Sequence, residues 1–252
     1  MMPNTEQNHI TSAFYGVLDH PTFFQGVQTA INQVTGNGVF AGDNLFTIGR
    51  NLSFLDDPKF MRAFETHTET VVEKSVIWRT YILAWAARRA MKLPGDFVEC
   101  GCYKGVSARL LCDYVDFQNC DKTFFLYDLF EHSAAMNHHA MPEHSQTLYE
   151  EVCARFVDFT NVKITQGAVP QSLDILEPEG DIAFLHIDMN NAEAEIGALE
   201  RLFDKVTTGA VIVFDDYGWR AYRDQKEGED DFLAKFDVQI LELPTGQGIA
   251  IK

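Results

Sequence analysis

Past Gly95 the chain falls into a rhythm that leaves few architectures open. Short apolar runs at 97–100, 124–127, 162–164, 182–187 and 210–214 are separated by stretches with helical spacing. Such runs are too short to be helices, and strands alternating with helices build a parallel sheet covered on both faces. The tail breaks the rhythm. Residues 238–243, a turn containing Pro244 and Gly246, and residues 249–251 read as a hairpin closing one sheet edge. The expectation is an α/β fold whose sheet is mostly parallel with an antiparallel C-terminal strand.

Upstream, residues 68–91 carry a long helical pattern through Val72, Val76, Tyr81, Leu83, Trp85 and Ala90. Arg88, Arg89 and Lys92, then Pro94 and Gly95, suit its C-terminus and a stop. Residues 1–65 hold short amphipathic pieces rich in phenylalanine, divided at Gly36-Asn37-Gly38, Gly42-Asp43-Asn44 and Asp56-Asp57-Pro58. They read as an N-terminal helical cap or extension, with a lid or an oligomer contact as its functional alternatives. Residues 66–252 read as the main domain.

Several function classes fall away on composition. With 252 residues and 46% hydrophobic content, the chain can bury one large core. A formal net charge of −17 opposes binding to nucleic acid or anionic lipid, which needs clustered Lys and Arg. No run of eighteen apolar residues offers a membrane span. The first residues lack a basic segment followed by an apolar one, so a cytoplasmic protein is expected. Five cysteines (Cys100, Cys102, Cys112, Cys120 and Cys153) form no CxxC pair. They read as reduced thiols, with a zinc or redox pair at Cys100 and Cys102 as the alternative.

The first strand-to-helix turn runs Glu99-Cys100-Gly101-Cys102-Tyr103-Lys104-Gly105-Val106-Ser107. In open α/β sheets ligands bind where such turns sit, at the carboxyl ends of the strands. Tyr103 and Lys104 stand where a dinucleotide site wants small residues, and Glu99 would repel a phosphate. A nucleoside without phosphates, carrying an ammonium, suits this turn better. S-adenosylmethionine is such a ligand: Glu99 faces its ammonium, Gly101 admits it, and Gly105 lets the helix pack closely. Tyr103, Lys104 and Ser107 complete this side of the expected site. Asp128 ends the second strand in the range of the acid that accepts hydrogen bonds from ribose hydroxyls. Gln166 and Gly167 follow the third strand, where an adenine would rest.

Asp188 ends the fourth strand, and Asp215 and Asp216 end the fifth. On neighbouring strands these ends lie about 5 Å apart. Three carboxylates that close repel one another and call for a cation. Oxygen donors point to Mg²⁺ or another hard divalent ion, while helix capping is the plainer role for the same residues. Asn190-x-x-Glu193 has the spacing of a capping box opening the next helix.

Together these residues resemble the macrocin O-methyltransferase (TylF-type) family, which methylates hydroxyls on natural-product sugars. The similarity runs from about residue 70 to the end. It rests on Gly95 to Gly105, on Tyr127-Asp128-Leu129-Phe130-Glu131, on His186-Ile187-Asp188, and on Val213-Phe214-Asp215-Asp216-Tyr217-Gly218. The resemblance implies a Rossmann-like class I methyltransferase fold with a seven-stranded sheet and S-adenosylmethionine as donor. It also implies a divalent cation at Asp188, Asp215 and Asp216, a small-molecule hydroxyl acceptor, possible glycosidic character in that acceptor, and a homo-oligomer. The chain departs from the family in one place. The family has Asp-x-Asp-x-Tyr after the fourth strand, and its second Asp resembles a general base. Here the segment is Asp188-Met189-Asn190-Asn191-Ala192.

An amide accepts no proton at neutral pH, so Asn190 is expected to touch substrate or cap the helix. His186, two positions before Asp188 and on the same strand face, is the candidate proton acceptor. His132, His138, His139 and His144 are others, in the loop expected to cover the substrate. Asp188, His186 and Asn190 are thus the candidate catalytic residues. Two further functions compete: a non-catalytic S-adenosylmethionine-binding protein that has lost its base, and a nicotinamide oxidoreductase, which Glu99, Tyr103 and Lys104 disfavour.

Overall fold

The computed structural model describes residues 7–133 and 140–252, so the readings of the first six residues and of His138 and His139 lie outside the described residues. The chain divides into two compact units, Met1–Ile82 and Leu83–Lys252.

In the first unit β1 (His9–Ile10) precedes α1 (His20–Ile31), then β2 (Phe40–Gly42) and β3 (Leu45–Thr47) form a hairpin. With β1 they make a three-stranded sheet in the order β1-β2-β3. The turn residues Asp43 and Asn44 both have positive φ, at 49° and 54°, as a tight two-residue hairpin requires. Strands of two and three residues carry too little alternation to be legible beforehand, so this sheet joins the expected helices as an addition. Two helices follow, α2 (Pro58–His67) and α3 (Val71–Ser75), and then α4 (Ile77–Ala90). Asp19 and Asp57 cap α1 and α2, each with a proline in the first turn, and Thr70 and Glu73 form a complete capping box on α3. The single helix expected over 68–91 is therefore two, parted at Val76. Within the unit, Phe40, Phe54 and Trp78 meet ring to ring, and Arg79 grips buried Asp43 with two hydrogen bonds of 2.8 and 3.0 Å.

The second unit alternates strand and helix as the sequence predicts. Its elements are β4 (Asp96–Cys100), α5 (Val106–Val115), β5 (Phe124–Asp128), α6 (Leu148–Arg155), β6 (Val162–Gln166) and β7 (Ile182–Ile187). After these come α7 (Ala192–Leu202), β8 (Val206–Phe214), α8 (Arg223–Ala234), β9 (Leu241–Glu242) and β10 (Gly248–Ile251). The seven strands lie in the order β6-β5-β4-β7-β8-β10-β9. β10 pairs antiparallel with both β8 and β9, while the pairs among β4 to β8 are parallel. All six residues of β7 are buried, as a strand covered on both faces should be. Between β4 and β7 the strand order reverses direction, and that switch opens a crevice at the carboxyl ends of the sheet. Among the described residues, no helix is long and apolar enough to cross a membrane.

Candidate functional site

The loop leaving β4 is shaped by its neighbours. The Gly101 N–H donates to the Tyr127 carbonyl at 2.8 Å, and the Asp188 N–H donates to the Cys100 carbonyl at 2.8 Å. Gly101 has φ +94°, and a Cβ there would collide with the Asp188 carbonyl. The close approach that demands glycine is thus made by the main chain leaving β7. Tyr103 follows at φ +46°, its N–H donating to Asp128 Oδ2 at 2.7 Å. Gly105, at φ +67°, opens α5, and a Cβ there would press on Phe156 and Val152, so close helix packing explains this glycine.

Asp128 holds two loops at once, since its other oxygen accepts the Phe130 N–H at 2.7 Å. A carboxylate has about four lone-pair sites, so capacity remains for a ribose hydroxyl. The Gly167 N–H donates to the Asp128 carbonyl at 2.9 Å, which brings the end of β6 alongside. Residues 141–145 come over this end of the sheet. Glu143 meets the Tyr103 hydroxyl and stands 3.7 Å from Lys104 Nζ. His144 packs edge-on against Tyr103 and parallel to His132. The Met141 N–H donates to His144 Nδ1 at 3.2 Å, which leaves the proton on Nε2, 4.0 Å from Asp128.

These elements enclose a cleft of about 640 Å³, counting its open mouth. Of the expected residues, Gly101, Tyr103, Asp128, Gly167, Asp188 and Asn190 line it, joined by Met141, His144 and Met189. The others stand elsewhere. Lys104 turns to Glu143, Gln166 is exposed and donates to the Leu129 carbonyl at 3.4 Å, and Ser107 lies in the first turn of α5.

Glu99 and His186 are buried beside one another, their register fixed by the pairing of β4 with β7. His186 Nδ1 lies 2.8 Å from Glu99 Oε1, and Nε2 lies 3.6 Å from Asp215 Oδ1. Burial disfavours the imidazolium, but the close Asp215 carboxylate and the hydrogen bond and charge of Glu99 win, pushing its pKa up to about 10. Asp215 is anchored in turn by Gln247 Nε2 at 2.8 Å. His186, Asp188 and Asp215 offer donor atoms all within 4.8 Å of one another. Asp216, half-buried, lies next in the chain and its carbonyl accepts the Trp219 N–H at 3.0 Å.

Two expectations change. The cap of α7 is Asn191, whose side chain accepts from the Ala194 N–H at 2.9 Å, in place of Asn190. Asn190 sits at φ +54°, a left-handed conformation that asparagine tolerates well, with its Oδ1 buried and without a hydrogen-bond partner among the described residues. The acid that reaches back over the helix start is Glu195, through the Met189 N–H at 3.1 Å, while Glu193 is exposed. Cys100 and Cys102 are buried, and burial raises both thiols, the opposite of what a reactive thiolate needs.

Residues 98–217 match a family described as "Methyltransferase domain". No curated protein matches the chain. Among solved structures, the O-methyltransferase NovP aligns with a TM-score of 0.60 at 20% identity, over 71% of this chain and 81% of that one. Apo CalS11, described as a TDP-rhamnose 3'-O-methyltransferase of calicheamicin biosynthesis, gives 0.56 at 14% identity, over 95% and 97%. An O-methyltransferase from Bacillus cereus in complex with SAH gives 0.54 at 12% identity, over 78% and 91%. These likenesses establish the Rossmann-like methyltransferase fold.

Proposed function

We propose that the protein is an S-adenosylmethionine-dependent O-methyltransferase of the macrocin O-methyltransferase type, assisted by a divalent cation. One observation carries this reading. The ends of β4, β5 and β6 meet at one cleft, with Asp128 joining the first two, and Asp188 lines the same cleft from β7. The nucleoside would lie along Gly101, Tyr103, Asp128 and Gly167, and the acceptor beside Met189 and Asn190. A hydroxyl of a small molecule is the acceptor, and the sugar substrate named for CalS11 supports a glycosidic one. The Leu83–Lys252 unit would carry the activity.

The residues present fit a cation. Asp188 and Asp215 offer carboxylate oxygens within 4.8 Å of one another at the ends of β7 and β8, with Asp216 next in the chain, and carboxylates this close favour a cation between them. Asp188, Asp215 and Asp216 would hold Mg²⁺ or another divalent ion. When bound, such an ion orients an acceptor hydroxyl and lowers its pKa. His186 keeps Asp215 in place from behind. Its burial and its held proton speak against a role as proton acceptor, and the acceptor nitrogen of His144 is already taken by the Met141 N–H. Asn190 lines the acceptor side of the cleft, and an amide takes no proton there. The proton would therefore leave to water.

Methyl transfer from labelled S-adenosylmethionine to a panel of glycosidic and phenolic hydroxyls tests the reading. Turnover should vanish in chelator and return with Mg²⁺, and Asp215→Asn should lose at least about a hundredfold in cation affinity. Cofactor binding without turnover on any acceptor would favour the non-catalytic alternative. Full turnover in excess chelator would leave the carboxylates a structural role.

A further inference from the structure

Two acids near the cleft are sealed inside the protein. Glu195, on α7, is 2% exposed and Glu229, on α8, is 1% exposed. Acidic side chains are almost never so buried unless partnered. Glu195 Oε1 accepts from Gln225 Nε2 at 2.9 Å and from the Met189 N–H at 3.1 Å. The Asn190 N–H and the side chain of Glu229 also hydrogen-bond to this carboxylate. In a dry site two touching carboxyls share one proton, because both cannot be ionised together.

The proton belongs to Glu229. Burial, the hydrogen bond to Glu195 and the charge of Glu195 push its carboxyl up to about 10, with Asp230 adding to the shift and Lys226 opposing it. Its Oε2 is buried without a hydrogen-bond partner among the described residues, which a neutral acid tolerates better than a carboxylate. Glu195 has several donors aimed at it and sits in the first turn of α7, where the helix dipole favours negative charge. The main chain it holds leaves β7 at Ile187 and must turn before α7 begins at Ala192. That turn passes through the left-handed Asn190. The Asp188 N–H finds the Cys100 carbonyl of β4, and the N–H groups of Met189 and Asn190 that follow take Glu195 as their acceptor.

We propose that Glu195, held by Gln225 and Glu229, is a positioning residue that fixes the Met189–Asn190 wall of the cleft and so the place of the acceptor beside the methyl donor. This rests on the reading of the cleft as a methyl-transfer site.

Amide hydrogen exchange of the full chain, followed by NMR, tests it. Glu195→Ala should speed exchange at Met189 and Asn190 about tenfold, the fold-change of one lost hydrogen bond, while the amides of β4 and β7 keep their rates. Glu195→Gln retains an acceptor oxygen and should restore rates to within about threefold of wild type. Glu229→Gln retains a donor and should do likewise, whereas Glu229→Leu should not. Unchanged Met189 exchange in Glu195→Ala overturns the proposal. So does acceleration spread evenly over α7 and α8, which marks a packing role alone. S-adenosylhomocysteine titrated into the wild type checks the cleft separately: if it fails to bind, the methyl-transfer reading falls while the exchange rates still decide whether Glu195 holds the wall.

Discussion

At the ends of β4, β5 and β6 the cleft is main chain held by main chain, with Gly101 wedged under Asp188 and one carboxylate, Asp128, taking N–H groups from two loops. At the ends of β7 and β8 it is side chains held by buried charge: Glu99 on His186, His186 on Asp215, Glu195 on the turn before α7. The first half should tolerate few changes of backbone shape but, Asp128 apart, many of charge. The second should behave the other way round. A rigid donor platform facing a wall set by titratable groups lets the two sides be altered separately.

The largest test of that contrast is Gly101→Ala. Its Cβ would meet the Asp188 carbonyl at a φ that L residues rarely adopt, so a loss of about 3 kcal/mol or more is expected in denaturant unfolding. A loss under about 1 kcal/mol would mean the two main chains can part freely. Next comes Glu99→Gln. Because Glu99 supports His186 and lies outside the cleft lining, divalent-cation affinity should fall roughly tenfold, as for other groups that orient a metal site from behind. S-adenosylhomocysteine affinity should stay within about threefold. A tenfold or greater loss of that affinity would return Glu99 to the ammonium of the donor.

Glu229→Gln should change how stability depends on pH. The folded chain keeps the Glu229 proton up to about 10, whereas the ordinary value is 4.5. Between those values the unfolded chain binds fewer protons, so unfolding free energy falls as pH rises, by at most about 1.4 kcal/mol per pH unit. Thermal melts of Glu229→Gln from pH 5 to 9 should show a flatter decline than wild type; parallel curves would mean the carboxyl is ionised when folded. The smallest effect belongs to Lys104→Ala. Its partner Glu143 is 3.7 Å away and its side chain is partly exposed, so stability should shift by less than about 0.5 kcal/mol. S-adenosylhomocysteine affinity should hold within twofold, and a larger drop would place Lys104 against the donor as its position in the turn first suggested.

The strand ends were legible because period and turn chemistry are local: Gly101, Asp128, Gly167 and Asp188 sit where short apolar runs stop. What they hold was not. In the sequence Glu99 reads as awaiting a ligand, because its partner His186 lies 87 residues on. Glu229 sits in a segment so charged that it reads as a solvated helix face, and only the packing of α7 on α8 reveals its burial. Asn190 and Asn191 are both plausible caps, and the choice falls to Asn191 because Asn190 is needed for the left-handed turn. The small sheet of the first unit escaped because its strands are shorter than any period.

The contact between Gly101 and the Asp188 carbonyl also bears on redesign. Anyone seeking a new acceptor range would be tempted to lengthen or shorten the segment between β7 and α7, the usual route to remodelling a pocket. Here such an insertion would lever against the loop proposed to carry the donor, and selectivity would be traded for cofactor loss. Side-chain exchange at Met189, with the length of 188–191 left alone, is the change this scaffold can absorb.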